Sequence, residues 1–320
     1  MPFLTETLLS SAQNSFLCLL MSETIKYIQC PACSSDNIHP VLKAKDYTVS
    51  QETFDIWECG NCTLRFTQEV PNAAAIGKYY QSDAYVSHSD TKKGLINRLY
   101  HLVRNYTLQS KRKLITRLAK QKQGALLDVG AGTGAFAAVM QQHGWMVTGL
   151  EPDTTARNNA LQQHGLTLQT LDALFNQPPA YFNVITMWHV LEHVHDLHQY
   201  LSTFRQILQP DGTLIIAVPN YTSLDAQEYG SHWAAYDVPR HLYHFSPKSM
   251  ALLLEQHGFK VTAHEPMWFD SFYVSMLSEQ YRTGKQQLLS ALVKGARSNK
   301  KAASSYEKCS SVIYIAKKEG

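Results

Sequence analysis

An apolar run, Ala125 to Val129, leads into a turn with glycine at every second position (Gly130, Gly132, Gly134) and then into a helical pattern from Phe136. Leu126, Leu127 and Val129 leave room for one polar residue, Asp128, so this strand must lie in a core. The glycines let the backbone bend tightly and let a ligand rest against bare main chain. The start of the following helix offers free N–H groups. In an open α/β sheet, such a turn places a ligand beyond the carboxyl ends of the strands.

The text around this turn alternates as such a sheet requires. Strands are expected at Ala125–Val129, Met146–Leu150, Val184–Met187, Thr213–Val218, Phe259–Ala263 and Ser311–Ala316. Helices are expected at Phe136–His143, Thr154–His164, Leu197–Leu208 and Pro247–His257, the third ended by Pro210-Asp211-Gly212. Regular alternation implies a mostly parallel sheet with helices on both faces. Two insertions interrupt it, Pro219 to Phe245 and Glu265 to about Cys309. Upstream, Leu95, Leu99, Leu102 and Val103 recur at helical spacing. Arg98, Arg104, Lys111, Arg112 and Lys113 lie between them and are read as a solvated basic face. The chain thus divides into an extension (1–24), a cysteine module (25–70), a helical connector (71–120) and a cofactor-binding domain (121–320).

Two cofactor classes use a turn of this kind. Gly130-x-Gly132-x-x-Ala135 fits the dinucleotide fingerprint, and Glu151 follows about twenty residues on, where a ribose-binding acid stands in either class. Asp128 separates them. A carboxylate there repels a pyrophosphate but suits the sulfonium and ammonium of S-adenosylmethionine.

Asp128-x-Gly130-x-Gly132-x-Gly134 resembles the first motif of class I methyltransferases. Glu151 matches their acid at the end of strand two, which binds both ribose hydroxyls. Phe182 to Val194, with His189, Glu192 and His193, looks like their strand four, although Asn183 stands where Asp is usual. Leu208 to Asn220 looks like their fifth strand and its preceding turn. The resemblance covers roughly Gly124 to Lys317. It implies a Rossmann-like α/β sheet, mostly parallel with the last strand antiparallel. Asp172 is a candidate for the adenine side, and His189 joins the cofactor-binding candidates.

Cys30-Pro-Ala-Cys33 and Cys59-Gly-Asn-Cys62 form C-x2-C-x25-C-x2-C. Each pair can make a knuckle, and two knuckles complete a closed, structural zinc site. The segment is too short for much core of its own, so the metal would supply folding energy. A zinc ribbon ahead of such a methyltransferase resembles a bacterial group related to sugar C-methyltransferases. That resemblance includes the tyrosine-rich text from Lys78 to His88. It implies that Tyr80 and Tyr85 close over the methionine end of the cofactor.

The methyl acceptor must be aligned and, for a hydroxyl or acidic carbon, deprotonated. The first insertion carries Trp233 to Phe245, dense in Tyr, Asp, Arg and His. His241 or His193 is the expected base. Arg240 is expected to hold an anionic group of the acceptor, with Asp237 orienting Arg240 or His241. In the second insertion, Pro266 to Tyr273 is aromatic and suits an apolar pocket, while Lys294 to Lys301 reads as a solvated loop.

The formal charge is only +3 over 320 residues. Acids offset the module's lysines, so the basic footprint of a nucleic-acid binder is missing. Phe16 to Met21 is apolar but short and lacks a basic lead, so neither a signal peptide nor a membrane span is expected, and the reading is cytoplasmic. A small-molecule acceptor is therefore expected: a sugar, a quinone-like compound or another secondary metabolite. RNA or protein methylation with the module as docking arm is the second reading. A cofactor-binding scaffold without catalysis is the third. The oligomeric state is not legible.

Overall fold

The computed structural model describes residues 23–81, 95–119, 123–285 and 287–319, with side chains in the first helix from residue 103 onward. Residues 1–22 of the expected extension, and Tyr85, lie outside the described residues. The strands are β1 (Thr24–Ile25), β2 (Ile38–Lys45), β3 (Thr53–Cys59), β4 (Arg65–Thr67), β5 (Val70–Pro71), β6 (Ala125–Val129), β7 (Met146–Leu150), β8 (Phe182–Trp188), β9 (Leu208–Pro219), β10 (Tyr243–His244), β11 (Phe259–Pro266) and β12 (Ser311–Lys318). The α-helices are α1 (Leu95–Leu118), α2 (Ala135–Gln142), α3 (Thr154–His164), α4 (Leu197–Ile207), α5 (Leu224–Tyr229), α6 (Pro247–Gln256), α7 (Asp270–Thr283) and α8 (Leu288–Ala302).

Six strands form the main sheet in the order β11-β12-β9-β8-β6-β7. Strands β7, β6, β8 and β9 pair in parallel, and only β12 runs against its neighbours. Beyond β7 the sheet ends in a single parallel bridge, Leu150 to Gln169. The strand period divides the core. Leu126, Val184, Ile215 and Ile313 meet Leu114 and Ile115 of α1 and Phe136 and Met140 of α2 on one face. Leu127, Ile185, Leu214 and Val312 meet α4 and α6 on the other.

Local chemistry sets the helix ends. Asp153 caps α3 by accepting from Ala156 N at 2.7 Å, and Gly165 closes it in the left-handed conformation. Ser246 and Ser249 form a capping box on α6 with Pro247 in its first turn. The expected stop at Pro210-Asp211-Gly212 is different: α4 ends at Ile207 and β9 begins at once. Phe182 pairs with Leu208 and Val184 with Thr213, so Gln209 to Gly212 is a bulge within the strand.

The cysteine module is not a separate head. Its sheet has the order β10-β4-β3-β2, and β10 comes from the first insertion, where Tyr243 pairs with Phe66 and His244 with Arg65. Cys30, Leu64 and Phe66 share one buried cluster with Leu242, Tyr243 and Phe245.

Two expectations are corrected. Lys294 to Lys301 is not a loop but part of α8, and Lys294 pairs with Glu279 at 3.2 Å and Glu228 at 3.3 Å. This helix buries Ala291, Gly295, Ser298 and Ala302, a stripe of small residues that hydrophobic periodicity does not register. Lys111 is not on a solvated face either. Its ammonium lies 4.2 Å over the Trp188 ring, turned inward toward the sheet.

Candidate active site and cysteine centre

The glycine turn joins β6 to α2 with Gly130, Gly132 and Gly134 all at positive φ. At Gly130 a Cβ would stand 2.4 Å from Val190 Cγ2, so both shape and conformation demand glycine. At Gly132 a Cβ would meet nothing within 4 Å, which leaves open space in front of the main chain. Glu151, buried at the end of β7, accepts from Gly132 N at 2.8 Å and Asp153 N at 3.0 Å. Burial raises its pKa. Asp172 is exposed in the 3-10 turn Leu171–Asn176, just past Gln169, which bonds to the β7 end.

Asp128 is 2% exposed and accepts from Thr186 Oγ1 at 2.7 Å. Burial pushes its carboxyl up to about 6, with Thr186 and the Lys111 charge opposing. Burial pushes Lys111 down to about 8 against the attraction of Asp128 and Asp270. From α1, Arg104 also reaches the turn, at Thr133 Oγ1 (3.5 Å).

The polar chain continues past β8. His189 holds a positive φ of 58°, and its Nε2 meets Asp270 Oδ2 at 2.9 Å while its Nδ1 lies 3.4 Å from Glu192 Oε1. Burial works against its cation, but the charges of Asp270 and Glu192 outweigh that and raise it to about 10. His189 is thus an imidazolium near neutrality, suited to holding a position and not to taking a proton. His193 Nδ1 meets the Arg240 carbonyl at 3.0 Å and the Tyr80 hydroxyl at 3.1 Å, which sets Tyr80 beside His193. The His193 and His241 rings stand edge to face at 4.5 Å. Burial, with the His241 charge adding, pushes His193 down to about 4. Asp196, not His193, occupies the N-cap position of α4, and the His193 Nδ1 bonds lie with Arg240 and Tyr80.

Arg240 does not face an acceptor. It is 1% exposed, and protein groups take its donors. Nε meets Asp237 Oδ2 (3.0 Å), Nη2 meets Asp237 Oδ1 (2.6 Å), Thr48 Oγ1 (2.5 Å) and Asp46 Oδ1 (3.1 Å), and Nη1 meets the Tyr79 carbonyl (2.8 Å). A guanidinium held this way pins the first insertion to the cysteine module. Asp237 meets it at two points and also lies 3.9 Å from His241 Nε2.

A cleft of about 340 Å³ opens between α1 and the segment leading into α7. Tyr106, Lys111, Met267, Trp268 and Phe269 are among its walls. The aromatic run of the second insertion therefore lines a cavity.

Cys30, Cys33, Cys59 and Cys62 converge, with all four sulfurs within 4.8 Å of one another. Cys30–Cys62 and Cys33–Cys59 are 3.5 Å apart. This is too long for a disulfide, and all four thiols are free. Ligands of one tetrahedral ion lie roughly 3.8 Å apart for bonds of about 2.3 Å. The Cys62 thiol lowers Cys30 to about 5 through a hydrogen bond, and in return Cys30 raises Cys62. The four cysteines can hold a metal ion.

Sequence reading passed over Lys111, Asp270 and Glu192 as site residues. Lys111 sits among other basic residues of one helix, and Asp270 in an insertion without a motif. Glu192 carried a signal, its place between a strand end and His193, but only the fold shows that it is buried.

An open, mostly parallel sheet with a glycine turn and two acids at its carboxyl edge defines the Rossmann-like methyltransferase class. Residues 103–264 match the family described as a methyltransferase domain, and the chain belongs to it. Among similar proteins is the ubiquinone biosynthesis O-methyltransferase of Yersinia enterocolitica, 35% identical over 103 residues, 30% of this chain and 42% of that protein. The protein of the same description from Aeromonas salmonicida is 28% identical over 174 residues, 50% of this chain and 71% of that one. The chain spans about half the length of the curated relatives it matches first. The magnesium protoporphyrin IX methyltransferase of Synechocystis PCC 6803, solved with bound SAH, shares the fold at a TM-score of 0.52 and 14% identity. That match covers 78% of this chain and all of that one.

Proposed function

We propose that this chain transfers a methyl group from S-adenosylmethionine to oxygen or carbon of a small-molecule acceptor. The observation that carries the reading is the pairing at the glycine turn: Glu151 bonded to the bare Gly132 N–H, with the Asp128 carboxylate one strand away. When bound, the cofactor supplies a methyl on a cationic sulfonium. Glu151 keeps lone pairs for ribose hydroxyls, and Asp172 lies toward the adenine. Asp128 favours the positive end of the amino-acid moiety, and Lys111 answers its carboxylate. His193 and His241 activate the acceptor, with Tyr80 beside them. His189, held by Asp270 and Glu192, positions the end of β8.

The aromatic cleft favours a flat, partly apolar acceptor, which accords with the ubiquinone-pathway names of the relatives. The Cys30–Cys33–Cys59–Cys62 centre holds zinc in a structural role, since all four positions are protein thiolates. Free thiols suit a reducing, cytoplasmic setting. No helix among the described residues is long and apolar enough to cross a membrane.

The test is methyl-labelled cofactor given to purified protein with cell extract separated into metabolite, lipid, RNA and protein fractions. Label in metabolites or lipids supports the reading. Label confined to RNA or protein replaces it with the docking-arm alternative. Absence of cofactor binding removes it.

A further inference from the structure

Beyond the carboxyl end of β8, two imidazoles and a carboxylate converge in a way that acceptor activation alone does not explain. Glu192 and His193 come from the 3-10 turn Leu191–His193, and His241 comes from the first insertion. One donor atom from each lies within 4.8 Å of the other two. Glu192 is 0% exposed, and neither carboxylate oxygen accepts a hydrogen bond. Its ion-pair neighbour His189 Nδ1, at 3.4 Å, touches one oxygen only. The imidazolium thus faces Oε1, while Oε2 is buried with no hydrogen-bond donor, which is costly in a core and leaves that oxygen free for a second cation.

The two rings are prepared to complement it. A backbone carbonyl only accepts, so a ring nitrogen bonded to one must carry the hydrogen. His193 Nδ1 is bonded to the Arg240 carbonyl at 3.0 Å, and His241 Nδ1 to the Ala235 carbonyl at 2.9 Å. In its neutral form each ring therefore keeps its lone pair on Nε2. A carbonyl behind the far nitrogen is how ligating histidines are oriented.

We propose that Glu192, His193 and His241 bind a divalent first-row transition-metal ion, separate from the cysteine centre. Two imidazoles and one carboxylate suit zinc, iron or manganese, whereas the cysteine centre is all thiolate. Three protein ligands leave coordination positions open, as in catalytic metal sites. An oxygen of the acceptor is the group to fill one of them, a role that rests on the methyl-transfer reading; binding of the ion does not.

The full chain, equilibrated with Zn(II) and dialysed without cofactor or acceptor, should retain about two zinc ions per chain, one for each ligand set. E192Q, which keeps the shape of the side chain, should retain about one and weaken the second ion at least about tenfold. H241A should do the same. With Co(II), E192Q should lose the ligand-field absorption of the second ion while keeping the thiolate charge-transfer bands of the cysteine centre. Those bands also show that the variant is folded. Equal metal content in wild type and a folded E192Q overturns the proposal and leaves methyl transfer untouched.

Discussion

Arg240 and Asp237, three residues apart in the first insertion, meet in a two-point fork, Nε to Oδ2 at 3.0 Å and Nη2 to Oδ1 at 2.6 Å. The same guanidinium reaches Asp46 of the cysteine module at 3.1 Å. Burial opposes the charges of Asp237 and Asp46, but both carboxyls are held below the ordinary range, Asp237 by the Arg240 contact and Asp46 by the Ser50 N–H together with Arg240. Arg240→Met leaves these acids without their partner in a core. It should cost about 3–5 kcal/mol of stability, read by denaturant unfolding. Unchanged stability with a raised KM would return Arg240 to acceptor binding.

Cofactor affinity should be bell-shaped in pH. Asp128 titrates near 6 in the free protein because burial disfavours its charge, and a cationic ligand needs that charge. Below pH 6 binding must release a proton, so affinity falls toward about tenfold per pH unit. Above pH 8 Lys111 loses its charge, and affinity falls again. For folding the sign is opposite on the acid side. The raised Asp128 pKa means that stability declines as pH climbs from the unfolded value, about 3.9, through 6. Calorimetric titration from pH 5 to 9 checks the binding profile, and Asp128→Asn should flatten its acid limb.

Glu151→Ala removes the acceptor of the Gly132 and Asp153 N–H bonds and the partner proposed for the ribose. Affinity should fall by about 1–3 kcal/mol, roughly 5- to 150-fold. Equal affinity in wild type and variant would remove Glu151 from the cofactor site.

Cys59→Ser should release the ion of the cysteine centre and be felt in the first insertion as well. Strand β10 pairs with β4, and Thr67 Oγ1 bonds the His241 carbonyl at 2.7 Å. Hydrogen exchange should quicken between residues 219 and 245 along with the module. Exchange confined to residues 25–70 would show that the two move independently.

Much of the sheet was legible because its signals are local. Ala125–Val129, Met146–Leu150 and Thr154–His164 begin and end where their apolar runs, Asp153 and Gly165 place them. The bulge at Gln209–Gly212 was not legible, since proline and glycine mark a turn equally well inside a strand pair. Helix α8 was hidden for a different reason. Its exposed face carries Leu289 and Val293 while its buried face carries Gly295 and Ser298, the reverse of ordinary amphipathicity.

Spacing alone settled which residues could serve the glycine turn and the cysteine centre, because each depends on groups a few positions apart: Gly130, Gly132 and Gly134, or Cys30 with Cys33 and Cys59 with Cys62. The partners of Arg240, Lys111 and Glu192 were settled only by tertiary structure. A guanidinium, an ammonium and a carboxylate bond equally well to solvent, substrate or protein, and only long-range packing decides which of these each one meets. Asp46 lies 194 positions from Arg240, and His193 lies 113 from Tyr80. Chain closure over such distances depends on burial of the whole core, so no short stretch of sequence records it.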